Sequence, residues 1–126
     1  MNAIEILSLK KTYDTGDEAV KGIDLNIKKG SFFGLLGPNG AGKTTTIGIL
    51  TGLVNKTSGS AKILGHDIID DFKSARKSIG LSPQEINLDV FFSIRQILLF
   101  QAGYYGVPKK LAEDGVDPIL KKLNLY

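Results

Sequence analysis

Gly37 is followed after four residues by Gly42, Lys43 and Thr44. This G-x-x-x-x-G-K-[ST] spacing suits one kind of chemistry, the holding of phosphate. Glycines at 37, 40 and 42 let the backbone reach positive φ and approach a ligand closely, so that successive N–H groups converge on anionic oxygens. Lys43 adds a full positive charge for the β- and γ-phosphates of a nucleotide, and the Thr44 hydroxyl is of a type that ligates Mg²⁺. Pro38-Asn39-Gly40 is turn chemistry that stiffens the approach. The plainer reading is a glycine-rich turn between strand and helix with a solvated lysine.

Such a loop needs a strand to deliver the chain and a helix to carry it away. Phe32, Phe33, Leu35 and Leu36 form a short apolar run, which predicts a strand buried on both faces in the middle of a parallel sheet. From about Gly42, the apolar residues Ile47, Leu50 and Leu53 recur at helical spacing. The helix should therefore start at the loop, its N–H groups and dipole facing the same anion. Three consecutive threonines and a glycine are poor helix formers, so packing or a bound phosphate has to favour the helix.

Upstream, Ile4, Ile6, Leu7 and Leu9 predict a mostly buried strand, and residues 14–17 (DTGD) a turn. Residues 19–27 alternate Val20, Ile23, Leu25 and Ile27 with polar neighbours, the pattern of a half-exposed strand. The two make an antiparallel pair ahead of the loop. Downstream, residues 55–59 read as a turn, residues 60–64 as a short strand and Gly65 as a bend. Phe72 and Ala75 among charged residues predict a short surface helix over 70–77, capped by Asp70 or Asp71. Residues 79–82 predict another brief apolar strand, ended by Pro83-Gln84. Ile94, Ile97, Leu98 and Tyr105 predict a helix within 90–105, interrupted by Gly106-Val107-Pro108, and residues 111–123 a second helix with Pro118 near its start.

A chain of 126 residues fits one domain with a real core, although it is short for a complete ATPase built on such a loop. Its 42% hydrophobic and 23% charged content is that of a soluble globular protein and excludes disorder. The net charge of +3 comes with lysines scattered in pairs, which favours solvated faces over a nucleic-acid stripe, so no nucleic-acid partner is expected. Without cysteine there are no disulfides and no thiolate metal sites, in keeping with a reducing compartment. Residues 1–5 lack a leader pattern and no apolar run approaches ~18 residues, so the sequence predicts neither secretion nor a membrane span.

GPNGAGKTTT after a strand, the preceding VKGIDLNIKKGSFFGLLG, the following LTGLVNKTSGSAKILGHDI and the later IGLSPQE together resemble the N-terminal part of an ABC-transporter ATP-binding protein. The segment FFSIRQILLFQAGYYGVPKK is most similar to subunits of export-type systems. The resemblance implies an α/β fold, a P-loop NTPase (RecA-like) core with an N-terminal antiparallel β subdomain and the start of a helical subdomain, incomplete. Core and β subdomain would occupy residues 1–83, and the Q-loop with the beginning of the helical subdomain residues 84–126.

By the same resemblance, Tyr13 would stack on an adenine ring, against the plainer reading of an aromatic packed at a strand end. Val20 would flank the base, although a core valine describes it better. Asn39, Gly40, Gly42, Lys43, Thr44 and Thr45 match the phosphate-binding segment, with Thr44 as the Mg²⁺ hydroxyl. Gln84 matches the Q-loop glutamine, which reaches Mg²⁺ or a water near the γ-phosphate; otherwise it is a turn residue after proline. The aromatics Phe91, Phe92, Phe100, Tyr104 and Tyr105 would dock on a membrane subunit or simply form helical core. His66, the single histidine, is assigned no role.

The implied cofactors are ATP and Mg²⁺. The implied partners are membrane-spanning transporter subunits and a second copy of the ATP-binding subunit, at the cytoplasmic face of the membrane as a homo-oligomer. The signature sequence, the Walker B strand and the switch histidine of the family have no counterpart in these residues. The expectation is therefore a piece of a longer protein that binds nucleotide without hydrolysing it, Lys43 and Gln84 contributing to a catalytic set that is not complete. It should also expose apolar strand edges that invite association. The competing expectation is a non-transport ABC-type ATPase acting on ribosomes or DNA, or a nucleotide-binding module without turnover.

Overall fold

A computed structural model describes residues 1–38, 42–82 and 91–126, which form two compact units, Met1–Ile79 and Gly80–Tyr126. In the first, β1 (Asn2–Thr12) and β2 (Glu18–Lys28) make the predicted antiparallel pair. The turn between them is closed by two backbone bonds, Tyr13 N–H to the Asp17 carbonyl at 2.9 Å and Gly16 N–H to the Tyr13 carbonyl at 2.8 Å. β3 (Ser58–Ile63) pairs with the other edge of β1, and the two-residue β4 (His66–Asp67) with β3, giving the all-antiparallel order β2-β1-β3-β4. β1 is thus an inner strand, and its Ile6 and Leu9 join Val20, Ile49 and Ala61 in the core.

The predicted run of buried residues in β1 needs one correction. Its register with β2 shifts between Ile6, opposite Leu25, and Leu9, opposite Ile23, so one extra residue is accommodated as a bulge. Ser8 takes φ 49° there and its N–H donates to Asp24 Oδ1 at 2.7 Å, while Leu7 turns to solvent and is 63% exposed. The bulge brings Leu9 onto the face of Ile6 at the expense of Leu7. Gly59 of β3 makes it possible: with φ 83°, a Cβ at this position would stand 2.2 Å from the Ser8 carbonyl oxygen.

α1 (Lys43–Thr51) starts at the loop as predicted and packs on β2 and β3, but not by the predicted face. Thr46, Gly48, Ile49 and Thr51 are buried, whereas Ile47 and Leu53 are exposed. Gly48 leaves room for the chain that follows the helix, since a Cβ there would lie 2.8 Å from Val54 Cγ2. The buried hydroxyls are satisfied within the helix, Thr46 Oγ1 donating to the Gly42 carbonyl at 2.8 Å and Thr51 Oγ1 to the Ile47 carbonyl at 2.9 Å. This is how threonines of low propensity remain in the helix.

The buried strand predicted over 32–36 is not formed. Residues 31–38 carry no regular structure, Phe32 is fully exposed and Leu36 is 93% exposed. A strand exists through ladder bonds to a neighbour, and the ladders among the described residues join only β1 to β4 with one another. For the same reason residues 79–82 are not a strand.

α2 (Phe72–Lys77) is capped in position by Asp71, whose side chain makes no capping bond and is engaged instead by His66. In the second unit, α3 (Ile94–Tyr104) begins with a capping box between Ser93 and Gln96, and packs against α4 (Lys109–Lys122). Pro108 occupies the N-cap of α4; Pro118, expected near the start, lies inside the helix. The buried Ala112, Val116 and Leu120, one turn apart, hold the helix through the position where Pro118 lacks a donor.

Candidate functional site

Gly42 and α1 lie against β2. Gly42 is the N-cap of α1 in the left-handed region, φ 90°, and a Cβ there would meet the Ala19 carbonyl oxygen at 2.4 Å and Val20 Cγ2 at 3.6 Å. No side chain fits between the loop and the strand, so glycine is required twice over, by φ and by space. Val20, 3% exposed, is part of the core under this corner.

Lys43 Nζ donates to the Gly37 carbonyl, so the ammonium closes back across the start of the loop. Thr44 is exposed and Thr45 half-buried at the helix start, and the first turn carries no acidic residue. The opening N–H groups of any α-helix lack intrahelical acceptors, and its dipole is positive at that end. A cation, the opening N–H groups of a helix and a hydroxyl on one corner suit a polyphosphate with its metal ion. Asn39, Gly40 and Gln84 lie outside the described residues. Among the described residues no group of three or more His, Asp or Glu side chains could hold a metal ion.

Tyr13 sits where β1 passes into the 13–17 turn, its backbone fixed at both N–H and C=O by the bonds to Asp17 and Gly16, its ring 40% exposed. Thr12, beside it, donates its N–H to Thr57 Oγ1 at 2.9 Å, which ties the end of β1 to the start of β3. Lys11 stands opposite Val20 in the ladder, and its Nζ lies 5.0 Å from the Tyr13 ring centroid.

A second polar cluster gives no signal in the sequence, because it spans the β4 to α2 turn. His66 Nδ1 lies 2.7 Å from Asp71 Oδ2, and Asp67 Oδ1 accepts the N–H groups of Ile69 at 2.8 Å and Asp70 at 3.0 Å. The hydrogen bond from His66 lowers the Asp71 pKa, and the Asp70 and Ile69 N–H groups lower that of Asp67.

In the second unit an Arg95–Asp117 ion pair joins α3 to α4. Phe92 and Phe100 meet edge to face with centroids 5.1 Å apart, and Tyr104 and Tyr105 likewise at 5.0 Å. Phe91 and Phe100 are largely exposed. No described helix is long and apolar enough to cross a membrane.

Comparison with known proteins bears on this corner. The chain is similar to the Nod factor export ATP-binding protein I of Burkholderia pseudomallei, 38% identical over 118 residues, and to the linearmycin resistance ATP-binding protein LnrL of Bacillus subtilis, 39% identical over 118 residues. Each alignment covers 94% of this chain but only 38% of the relative, so the chain spans well under half the length of these relatives. Among solved structures, the ATP-binding subunit of an ABC transporter matches 98% of this chain and 51% of its own, with a TM-score of 0.75 and 26% identity. A dimeric ATP-binding cassette in a post-hydrolysis state with ADP and phosphate matches with a TM-score of 0.74 and 25% identity, over 98% of this chain and 58% of that one. The fold is therefore that of the P-loop ATPase domains of ABC proteins, here in part. Residues 20–126 match the ABC transporter family, and the chain belongs to it.

Proposed function

We propose that this chain carries the nucleotide-binding part of an ABC transporter's ATP-binding subunit, which couples ATP binding and hydrolysis to movement of a substrate across a membrane. The observation that carries the reading is the corner at Gly42, where the chain leaves no room for a Cβ and Lys43 reaches back to the Gly37 carbonyl. Gly42 and the first turn of α1 would present N–H groups to phosphate oxygens, together with Asn39, Gly40 and Thr45. Lys43 would exchange its Gly37 carbonyl for the β- and γ-phosphates. Thr44 would give its hydroxyl to Mg²⁺ and Gln84 its side-chain carbonyl, ligand types that the ion accepts beside phosphate and water. Tyr13 would stack on the adenine, with Val20 beneath.

When bound, magnesium would neutralise charge on the phosphates. Turnover would need groups beyond these residues and a second copy of the subunit, so these 126 residues bind nucleotide and do not hydrolyse it. Export as the direction of transport is supported by the names of the relatives, one a Nod factor export protein and the other a linearmycin resistance protein. In this reading the exposed aromatics of the second unit face a membrane-spanning subunit and the protein works on the cytoplasmic side of the membrane.

The test is Mg-ATP binding by calorimetry to the full-length protein and to its Lys43→Ala variant. Binding should be lost in the variant; an unchanged affinity would sink the proposal.

A further inference from the structure

We propose that Lys11 is a positioning residue for the base of the nucleotide: its ammonium holds the Tyr13 ring by one face, so that the opposite face is presented to a purine. The inference rests on the nucleotide reading above and extends it to a residue which that reading does not use.

Three observations carry it. The Lys11 Nζ is 5.0 Å from the Tyr13 centroid, inside the range in which a cation is attracted to a ring face. The Tyr13 backbone is fixed by the two turn bonds, and Thr12 is tied to Thr57, so only the side-chain torsions of Tyr13 are left to be set. Lys11 is opposite Val20, the residue whose Cγ2 borders the space at Gly42, so the ladder ties the Lys11–Tyr13 pair to the strand that carries the loop corner.

The physical consequence has two parts. A half-exposed tyrosine samples several rotamers, and each base that stacks on it must first select one; a cation on one face makes that selection in advance. The ammonium also draws the ring's π-electrons toward itself, which makes the far face a better partner for an electron-rich base. Purines, with two fused rings, overlap a tyrosine more fully than pyrimidines, so the class of ligand favoured is a purine nucleoside triphosphate.

The experiment separates base from phosphate. Affinities of the full-length protein for Mg-ATP and for magnesium tripolyphosphate, which has no base, are measured by calorimetry in the wild type and in Lys11→Met and Lys11→Arg. Lys11→Met should weaken Mg-ATP about threefold, the size of the cost of ordering one side chain on binding, and leave tripolyphosphate unchanged. Lys11→Arg, whose planar cation also stacks on aromatic faces, should restore the wild-type value. In a Tyr13→Ala background, Lys11→Met should have no further effect.

Unchanged or tighter Mg-ATP binding in Lys11→Met would overturn the inference, the latter by showing that the ammonium occupies the face the base needs. Equal losses with both probes would overturn it too, because Lys11 would then act as a charge near the phosphates. Lys43→Ala is the separate control: if it leaves the binding of both probes unchanged, the nucleotide reading itself fails.

Discussion

The chain holds two apolar runs of similar make-up, Ile4, Ile6, Leu7 and Leu9 in β1 and Phe32, Phe33, Leu35 and Leu36 ahead of the loop. The first lies between two ladders, and Leu9 is 0% exposed; the second has no ladder, and Leu36 is 93% exposed. Hydrophobicity alone therefore did not decide burial. A strand buries its side chains only when neighbours satisfy its backbone N–H and C=O groups, and β1 has β2 and β3 to do so. Even within β1 the neighbours overrule the side chains, since the bulge at Ser8 exposes Leu7.

Leu9→Ala should show this contrast most strongly, with a loss of about 2–5 kcal/mol of unfolding free energy in urea titrations, because the site is fully enclosed. Gly59→Ala should cost about 2–3 kcal/mol, from a left-handed backbone and a clash with the Ser8 carbonyl. Gly16→Ala, equally left-handed but in open space, should cost less, and equal costs would refute the role given to the bulge. Asp24→Ala removes the acceptor for Ser8 N–H and should cost about 1 kcal/mol.

Acid sharpens the comparison at the other edge of the sheet. The Asp67 carboxyl is held below its usual pKa of 3.8 by the N–H groups of Asp70 and Ile69. A lowered carboxylate pKa stabilises the fold above the unfolded value, and that stability is lost as pH falls through the folded value. Thermal melts from pH 5 downward should therefore fall more steeply below about pH 4 in the wild type than in Asp67→Ala. The smallest effect is expected in the unpaired run. Leu36→Ala should change stability by less than about 0.5 kcal/mol, and a loss comparable to that of Leu9→Ala would show that the run is buried after all.

Legibility divided along the same line. The loop's motif was readable because glycine, lysine and threonine stand at fixed spacing only a few residues apart, and Lys43 does reach back to Gly37. The β1–β2 pair was readable because alternation and a DTGD turn are local too.

By itself the sequence determined the phosphate-loop spacing, the antiparallel pair, a short helix within 70–77 and the two helices of the second unit. Tertiary structure alone decided which face of α1 is buried, where β1 bulges, that residues 32–36 stay out of the sheet, that Pro118 is held inside α4, and that His66 finds Asp71. The reason is that turns, caps and periodicity are settled within a few residues. Burial is settled by the neighbour that satisfies the backbone or leaves room for a side chain, and that neighbour is distant in sequence.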